Sequence, residues 1–568
     1  MRVAAIAIDG TEWSVLDRLM TEGHLPNLRA IRDRSLEVEL DQQVAYRSEQ
    51  PWTRFLSGRS PEEMQWWTLE SFDPATYGVW SQGAYRGDPF YAGTDRSCIV
   101  FDVPHASLSR GVRGQQVTGW GAHGAQYPRA SWPAGLLTDV DDRVGPHPAF
   151  DRDYDNGWYE PRYINALATA LTEGARSRPD ALAVLTERQA DWDLLLTSFS
   201  ETHSAGHHLW HGLDAGHPLH DAPTGTLARR RFTEVAAAVD EGIGRMVASL
   251  PPDTVVLVFA HHGMMAADDV PSMLLVPELL HRRQFGRPLL RGPHPEQWVA
   301  DGCPPVAPDS PHAWGGSAWI RREWASTARG RARNVVVRRL SPPLDRAARR
   351  LTGRPVPALL GDLDEPIPPE AGVPPEQIDP AEPIDWQPAA WYRPWWPRMR
   401  WFAVPTFADT HIRVNLRGRE RDGLVDPEDY GAALDEAETV LRGIRDPRTG
   451  DEVIAELIRL REDDPFAEPG PDADLLVVWN RGLDAIVHPD VGLVGPAPFM
   501  RTGAHSANGF ALVSGLGIER QVLDRRRGDD LGATVAALLG MPERHRTGGR
   551  AVEEIVQATR GATSGAGT

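Results

Sequence analysis

The chain has 568 residues, 41% hydrophobic and 24% charged, which is ordinary for a globular protein with room for one large α/β domain and an insertion, or for two domains. A formal net charge of −19 argues against general affinity for nucleic acid, although all 60 basic residues are arginine and a local basic patch stays open. Cys98 and Cys303 are the only cysteines, which excludes a disulfide framework and a thiolate metal site.

Residues 3–8 form an apolar run that ends at Asp9-Gly10 and reads as a buried first strand. Met1-Arg2 ahead of it loosely resembles a secretory leader. The apolar stretch, however, ends at the short limit of the ~7–15 residues such a leader needs, and no small-residue cleavage site follows cleanly. No run approaches the ~18 apolar residues of a membrane span, so the expectation is a cytoplasmic protein without membrane contact. Residues 13–34 carry a helical pattern broken by Gly23 and Pro26. Strands are expected at 98–103 and 192–199, with a helix over 163–187 between them. A second helix over 231–250 is stopped by Pro251-Pro252, and the apolar strand 255–260 then runs straight into His261-His262-Gly263. This alternation predicts a three-layer α/β/α sandwich around a largely parallel central sheet.

From residue 271 to 397 the texture changes. Prolines cluster, arginines concentrate between Arg321 and Arg350, and Trp386, Trp391, Trp395 and Trp396 gather near the end. The stretch reads as an inserted cap, and its arginine run fits either a solvated helical face or a polyanion contact. The core is expected to resume with residues 412–416, a helix over 428–445, a strand over 475–479 and Gly503-Ala504-His505. The organisation expected is therefore a core of 1–270, a cap of 271–397, a second core part of 398–560 and a disordered tail of 561–568.

His203 and His207 are four residues apart, share one face of a helix and suit a common ion, although surface or core histidines have the same spacing. Their neighbourhood follows a strand and holds four histidines and Glu201. His261 and His262 close a buried strand, where two adjacent imidazoles need partners. Ser48 precedes a predicted helix with Pro51 in its first turn and Gly58 at its end. It reads as an N-cap or as a hydroxyl polarised by the free N–H groups there.

In order, these segments resemble the alkaline phosphatase superfamily, nearest its type I phosphodiesterase/nucleotide pyrophosphatase and phosphohydrolase/phosphomutase branch. The resemblance lies in Ala-Ile-Asp9-Gly-Thr-Glu-Trp, Gly23-His-Leu-Pro-Asn-Leu, Phe101-Asp-Val-Pro104, residues 412–420, Asp446-Pro-Arg-Thr-Gly450 and Leu538-Leu-Gly-Met-Pro542. It implies an alkaline-phosphatase-like fold with a cap and a metal-dependent phosphodiesterase acting on a small phosphate ester or nucleotide-like substrate. It further implies two divalent ions, usually zinc, with manganese or another transition metal compatible. On that pattern His203, His207 and His505 hold one ion. Asp9, Ser48, His261 and His262 hold the other, with Ser48 as ligand and nucleophile. Arg47 beside it is either a phosphate contact or an ion-pair partner.

The sequence departs from the branch at three places. His203 and His261 stand where aspartates are usual, and the His-Gly expected after the Ser48 helix is missing, with Met64-Gln65 near that position. The two imidazoles make the site more positive by about two charges. A sulfatase-like member is disfavoured because Ser48-Glu49-Gln50-Pro51 stands where a modified cysteine is needed. A phosphoryl transferase and a non-catalytic binding protein on a degenerate fold both remain open.

Overall fold

The structure, a computed structural model, describes residues 1–48, 50–81, 85, 87–122, 129–150, 157–290, 295–308, 384, 387–462, 464–515, 517–542 and 548–565. Most of the expected cap, including the 321–350 arginine run and Trp386, lies outside these residues.

Strand Arg2–Ile8 occupies the middle of a sheet of ten described strands. Its neighbours are Thr254–Ala260 on one side and Leu194–Phe199 on the other, both parallel to it. Ser97–Phe101 and Arg113–Thr118 continue the parallel set outward. On the other side Asn508–Ser514 pairs antiparallel with Thr254–Ala260, and Leu36–Asp41, antiparallel to Asn508–Ser514, runs with the parallel set. A strand covered on both faces needs apolar side chains at every position, not at alternate ones, and residues 3–8 are apolar throughout. Ala4, Ile6 and Ile8 enter a core shared with helices Trp13–Thr21, Pro161–Arg188 and Gly225–Ser249. Val3, Ala5 and Ala7 enter a separate core with Trp52 and Phe55 of helix Gln50–Ser57, Leu531 and Val535 of Asp529–Leu538, and Ile555. The expected three-layer sandwich is therefore present.

Strands Trp401–Val404, Thr410–Val414, Leu475–Trp479 and Ile454–Arg459 form an antiparallel sheet of their own. They share a hydrophobic cluster with Trp395, Trp396, helix Tyr430–Arg442 and helix Val276–Phe285. Thr410–Val414 and Leu475–Trp479 are strands, but they do not join the central sheet. An apolar run encodes burial, not which sheet it will pair with. The chain returns to the large sheet only at Asn508–Ser514. The last helix, Glu553–Gly565, extends through the first part of the segment expected to be a disordered tail. Among the described residues no helix is long and apolar enough to cross a membrane.

Ile6 is fully buried in the middle strand. Ile6→Ala should lower the unfolding free energy in urea by about 2–5 kcal/mol; a loss under about 0.5 kcal/mol, the size of a surface effect, would mean residue 6 is not in the core.

Candidate active site

Parallel strands place their carboxyl ends on one edge, and open α/β sheets carry their chemistry there. Ile8 is level with Phe199, and Ala7 with Phe259. Asp9, the helix Glu201–Leu209 and the His261-His262 pair consequently emerge side by side. The Asp9 N–H donates to the Phe199 carbonyl at 3.0 Å, and the Thr202 hydroxyl donates to the Asp9 carbonyl at 2.9 Å. Gly10 turns the chain with φ of +57°. A Cβ there would lie 2.9 Å from His203 Cδ2, so a glycine lets the strand end pass against the ring.

His203 and His207 lie one turn apart on the Glu201–Leu209 helix with their Nε2 atoms 2.9 Å from each other. His505 completes the group, its Nε2 2.7 Å from that of His203. It arrives on the short strand Gly503–His505, paired with Met264–Ala266 just beyond His262. Thr502 N–H donates to the His207 carbonyl at 2.7 Å, and a Cβ on Gly503 would fall 2.3 Å from the Gly206 carbonyl oxygen. The strand can dock this closely because residue 503 is glycine. His207 Nδ1 lies 2.7 Å from the Gly503 carbonyl, and His203 Nδ1 lies 2.9 Å from Asp9 Oδ2. Partners of this kind on the outer ring nitrogen turn the other nitrogen inward as a lone pair. Burial, reinforced by His262, His203, His207 and Arg501, holds the His505 pKa well below its ordinary value and keeps the ring neutral.

Asp9 is almost fully buried. Its Oδ1 accepts from the Trp52 indole N–H at 2.7 Å and lies 3.4 Å from His262 Nε2. Burial alone would raise its pKa. His203 and then His262 outweigh that and hold the carboxyl well below the usual carboxylate range. His262 stacks on His505 with ring centroids 4.1 Å apart. His261 turns the other way, its centroid 4.5–5.0 Å from those of Phe55, Trp52 and Phe259. Neither of its ring nitrogens has a hydrogen-bond partner among the described residues. Burial, aided by His262 and opposed by Asp9, pushes its pKa down to about 3.

Ser48 is half-buried in the turn before helix Gln50–Ser57, the helix that Trp52 ties to Asp9. Arg47 is buried, with one guanidinium nitrogen 2.6 Å from Asp268 and 2.8 Å from Asp409. Of the two roles open to it from the sequence, this arrangement supplies the ion pair. A phosphate would have to compete with two buried carboxylates.

Residues 3–296 match the family model described as type I phosphodiesterase/nucleotide pyrophosphatase. The chain belongs to that family and is a phosphoric ester hydrolase. Among solved structures it is similar to phosphonoacetate hydrolase from Sinorhizobium meliloti in complex with phosphonoformate, at 12% identity over 95% of this chain and 96% of that one, TM-score 0.43. It is also similar to murine ectonucleotide pyrophosphatase/phosphodiesterase 5, an inactive variant in complex with AMP, at 9% identity over 98% and 99%, TM-score 0.44. A third is the alkaline phosphatase PafA, at 10% identity over 98% of both chains, TM-score 0.48. No curated protein matches the chain.

Sequence reasoning missed the group that holds the histidine helix in place. Arg178, fully buried, donates through Nε and a terminal nitrogen to Glu201 Oε1 at 3.0 and 2.9 Å, and through its other terminal nitrogen to Asp102 Oδ2 at 2.8 Å. His147 Nε2 lies 3.1 Å from the same Glu201 oxygen, and Asp102 Oδ1 accepts from the Trp120 N–H at 2.9 Å. Burial would raise the Glu201 pKa, but Arg178 and His147 bring it below the ordinary value. The two carboxylates sit just past strand ends and carry a sequence signal. Arg178 lies within a long amphipathic helix and carries none. Arg178→Met should cost about 3–5 kcal/mol in urea unfolding, because it leaves two buried carboxylates facing each other without a cation. A cost near zero would mean the network contributes nothing to stability.

Proposed function

We propose that this chain hydrolyses a phosphodiester or nucleotide-like phosphate ester through a covalent intermediate on Ser48. A divalent transition metal would be held by His203, His207 and His505. The observation that carries the reading is the convergence of three buried imidazole nitrogens, all within 4.8 Å of one another, at the carboxyl edge of the parallel strands. Three imidazole nitrogens, two of them on rings whose outer nitrogen faces Asp9 or the Gly503 carbonyl, suit zinc, and also manganese or cobalt. Such an ion, when bound, supplies charge stabilisation to the oxygens of the reacting phosphoryl group.

The chain's own groups do the rest. Ser48 Oγ attacks phosphorus in line with the leaving oxygen; the bond to that oxygen breaks and the oxygen takes up a proton. Water then attacks the seryl phosphoryl ester and restores the hydroxyl. The Trp52 indole N–H on Asp9 ties the helix that follows Ser48 to the strand edge bearing the histidines. Asp9, kept ionised, accepts from His203 and fixes that ring's orientation. The Arg178–Glu201 pair holds the start of the helix from which His203 and His207 project.

Ser48→Ala should reduce turnover of an activated aryl phosphodiester by at least 10³-fold while the ion held by the histidines stays bound, as metal analysis of the same sample would read. Acid quenching of the wild-type reaction should leave phosphate on the peptide containing Ser48. Full activity in Ser48→Ala would remove Ser48 from the chemistry. A helix-capping serine alone would cost about 1 kcal/mol of stability and no activity.

A further inference from the structure

We infer that this chain binds a single ion, on His203, His207 and His505, with Asp9 as an outer carboxylate that orients His203 and His261 as a packing residue. The inference rests on reading the three histidines as the ion site; it concerns how many ions the site takes and what the remaining residues of the expected second set do.

Charge is the first argument. Asp9, Ser48, His203, His207, His261, His262 and His505 include one carboxylate. Two dications with Asp9 would leave about three net positive charges among side chains that are nearly all buried, and even an ionised Ser48 would leave about two. One dication with Asp9 leaves about one, which a phosphodiester monoanion cancels on arrival. Where the related enzymes have aspartates at positions 203 and 261, this chain has neutral imidazoles that can coordinate but cannot neutralise.

The geometry agrees. Each Asp9 oxygen already has a neighbour that a second ion would have to share or displace. Oδ1 accepts from Trp52 at 2.7 Å, with His262 Nε2 at 3.4 Å, and Oδ2 faces His203 Nδ1 at 2.9 Å. An indole nitrogen can only donate, so Oδ1 serves it as an acceptor. His261 has left the cluster. Its ring is edge-on to Trp52 at 79° and packs on Phe55 and Phe259. Those three rings belong to the core beneath the opposite face of the sheet. Among the described residues, His203, His207 and His505 are the group whose ligand atoms come close enough to hold a metal.

The two partnerless nitrogens of His261 are what a second ion would use, and substitution there separates the alternatives. A buried imidazole without partners is unfavourable, so His261→Phe should raise the melting temperature of the metal-free protein and leave ion content unchanged. Cobalt(II) titration of the full chain, followed by its visible absorption, should break at one equivalent in both proteins. Asp9→Asn should keep one equivalent but bind cobalt(II) roughly 10–100-fold more weakly, with a shifted absorption band, because the hydrogen bond to a ligand ring has changed. A break at two equivalents in wild type, or loss of an equivalent in His261→Phe, overturns the inference and leaves the hydrolase reading intact. Conversely, one equivalent of zinc(II) bound with no turnover of an aryl phosphodiester sinks the hydrolase reading and leaves the inference standing.

Discussion

The site is organised around one buried carboxylate. Asp9 ends the central strand, and an ionised carboxyl with almost no contact with water is stable only if nearby donors replace its hydration. The donors come from three separate parts of the chain: Trp52 from the helix after Ser48, His203 from the helix after Phe199, and His262 from the loop after Ala260. Satisfying Asp9 therefore draws three loops to one point. The strand end, fixed by the Asp9 N–H on Phe199 and Thr202 on the Asp9 carbonyl, sets where that point lies. The histidine cluster follows, because the ring drawn toward Asp9 through Nδ1 presents Nε2 to His207 and His505.

The parts of this arrangement written in local pattern were legible in the sequence. The continuous apolar runs at 3–8 and 255–260 read as doubly covered strands, and residues directly after such strands stand at the sheet edge whatever the loops do. The i, i+4 pair His203 and His207 was legible because a helix fixes that geometry. His505 lies some 300 residues away, and only the likeness to the family brought it in. Its approach depends on Gly503 meeting Gly206, a contact between two small residues that no periodicity announces.

What could not be read was direction and partnership. His261 and His262 are adjacent, so their side chains leave an extended backbone on opposite sides. One then faces Asp9 and the other faces the aromatic core. Trp52 is a core aromatic whose indole nitrogen also donates to Asp9, and nothing in the sequence marks that second role. Strand 410–414 was recognisable as a strand, whereas its sheet was not, since the choice between edges lies in long-range packing. Arg178 is the extreme case: a charged residue on a helix reads as solvent-facing, and its burial is compensated by carboxylates 76 and 23 residues away.

The two buried arginines near the site follow one electrostatic rule with opposite outcomes. Each faces two carboxylates. Around Arg178 the carboxylates have further donors, His147 on Glu201 and the Trp120 N–H on Asp102, and Glu201 is held ionised. Around Arg47 the help is thinner. Burial raises the Asp409 pKa, Asp268 adds to it, and Arg47 pulls against it. Glu201, held ionised by Arg178 and His147, stands at the start of the helix that carries His203 and His207. A carboxylate there favours the helix N-terminus.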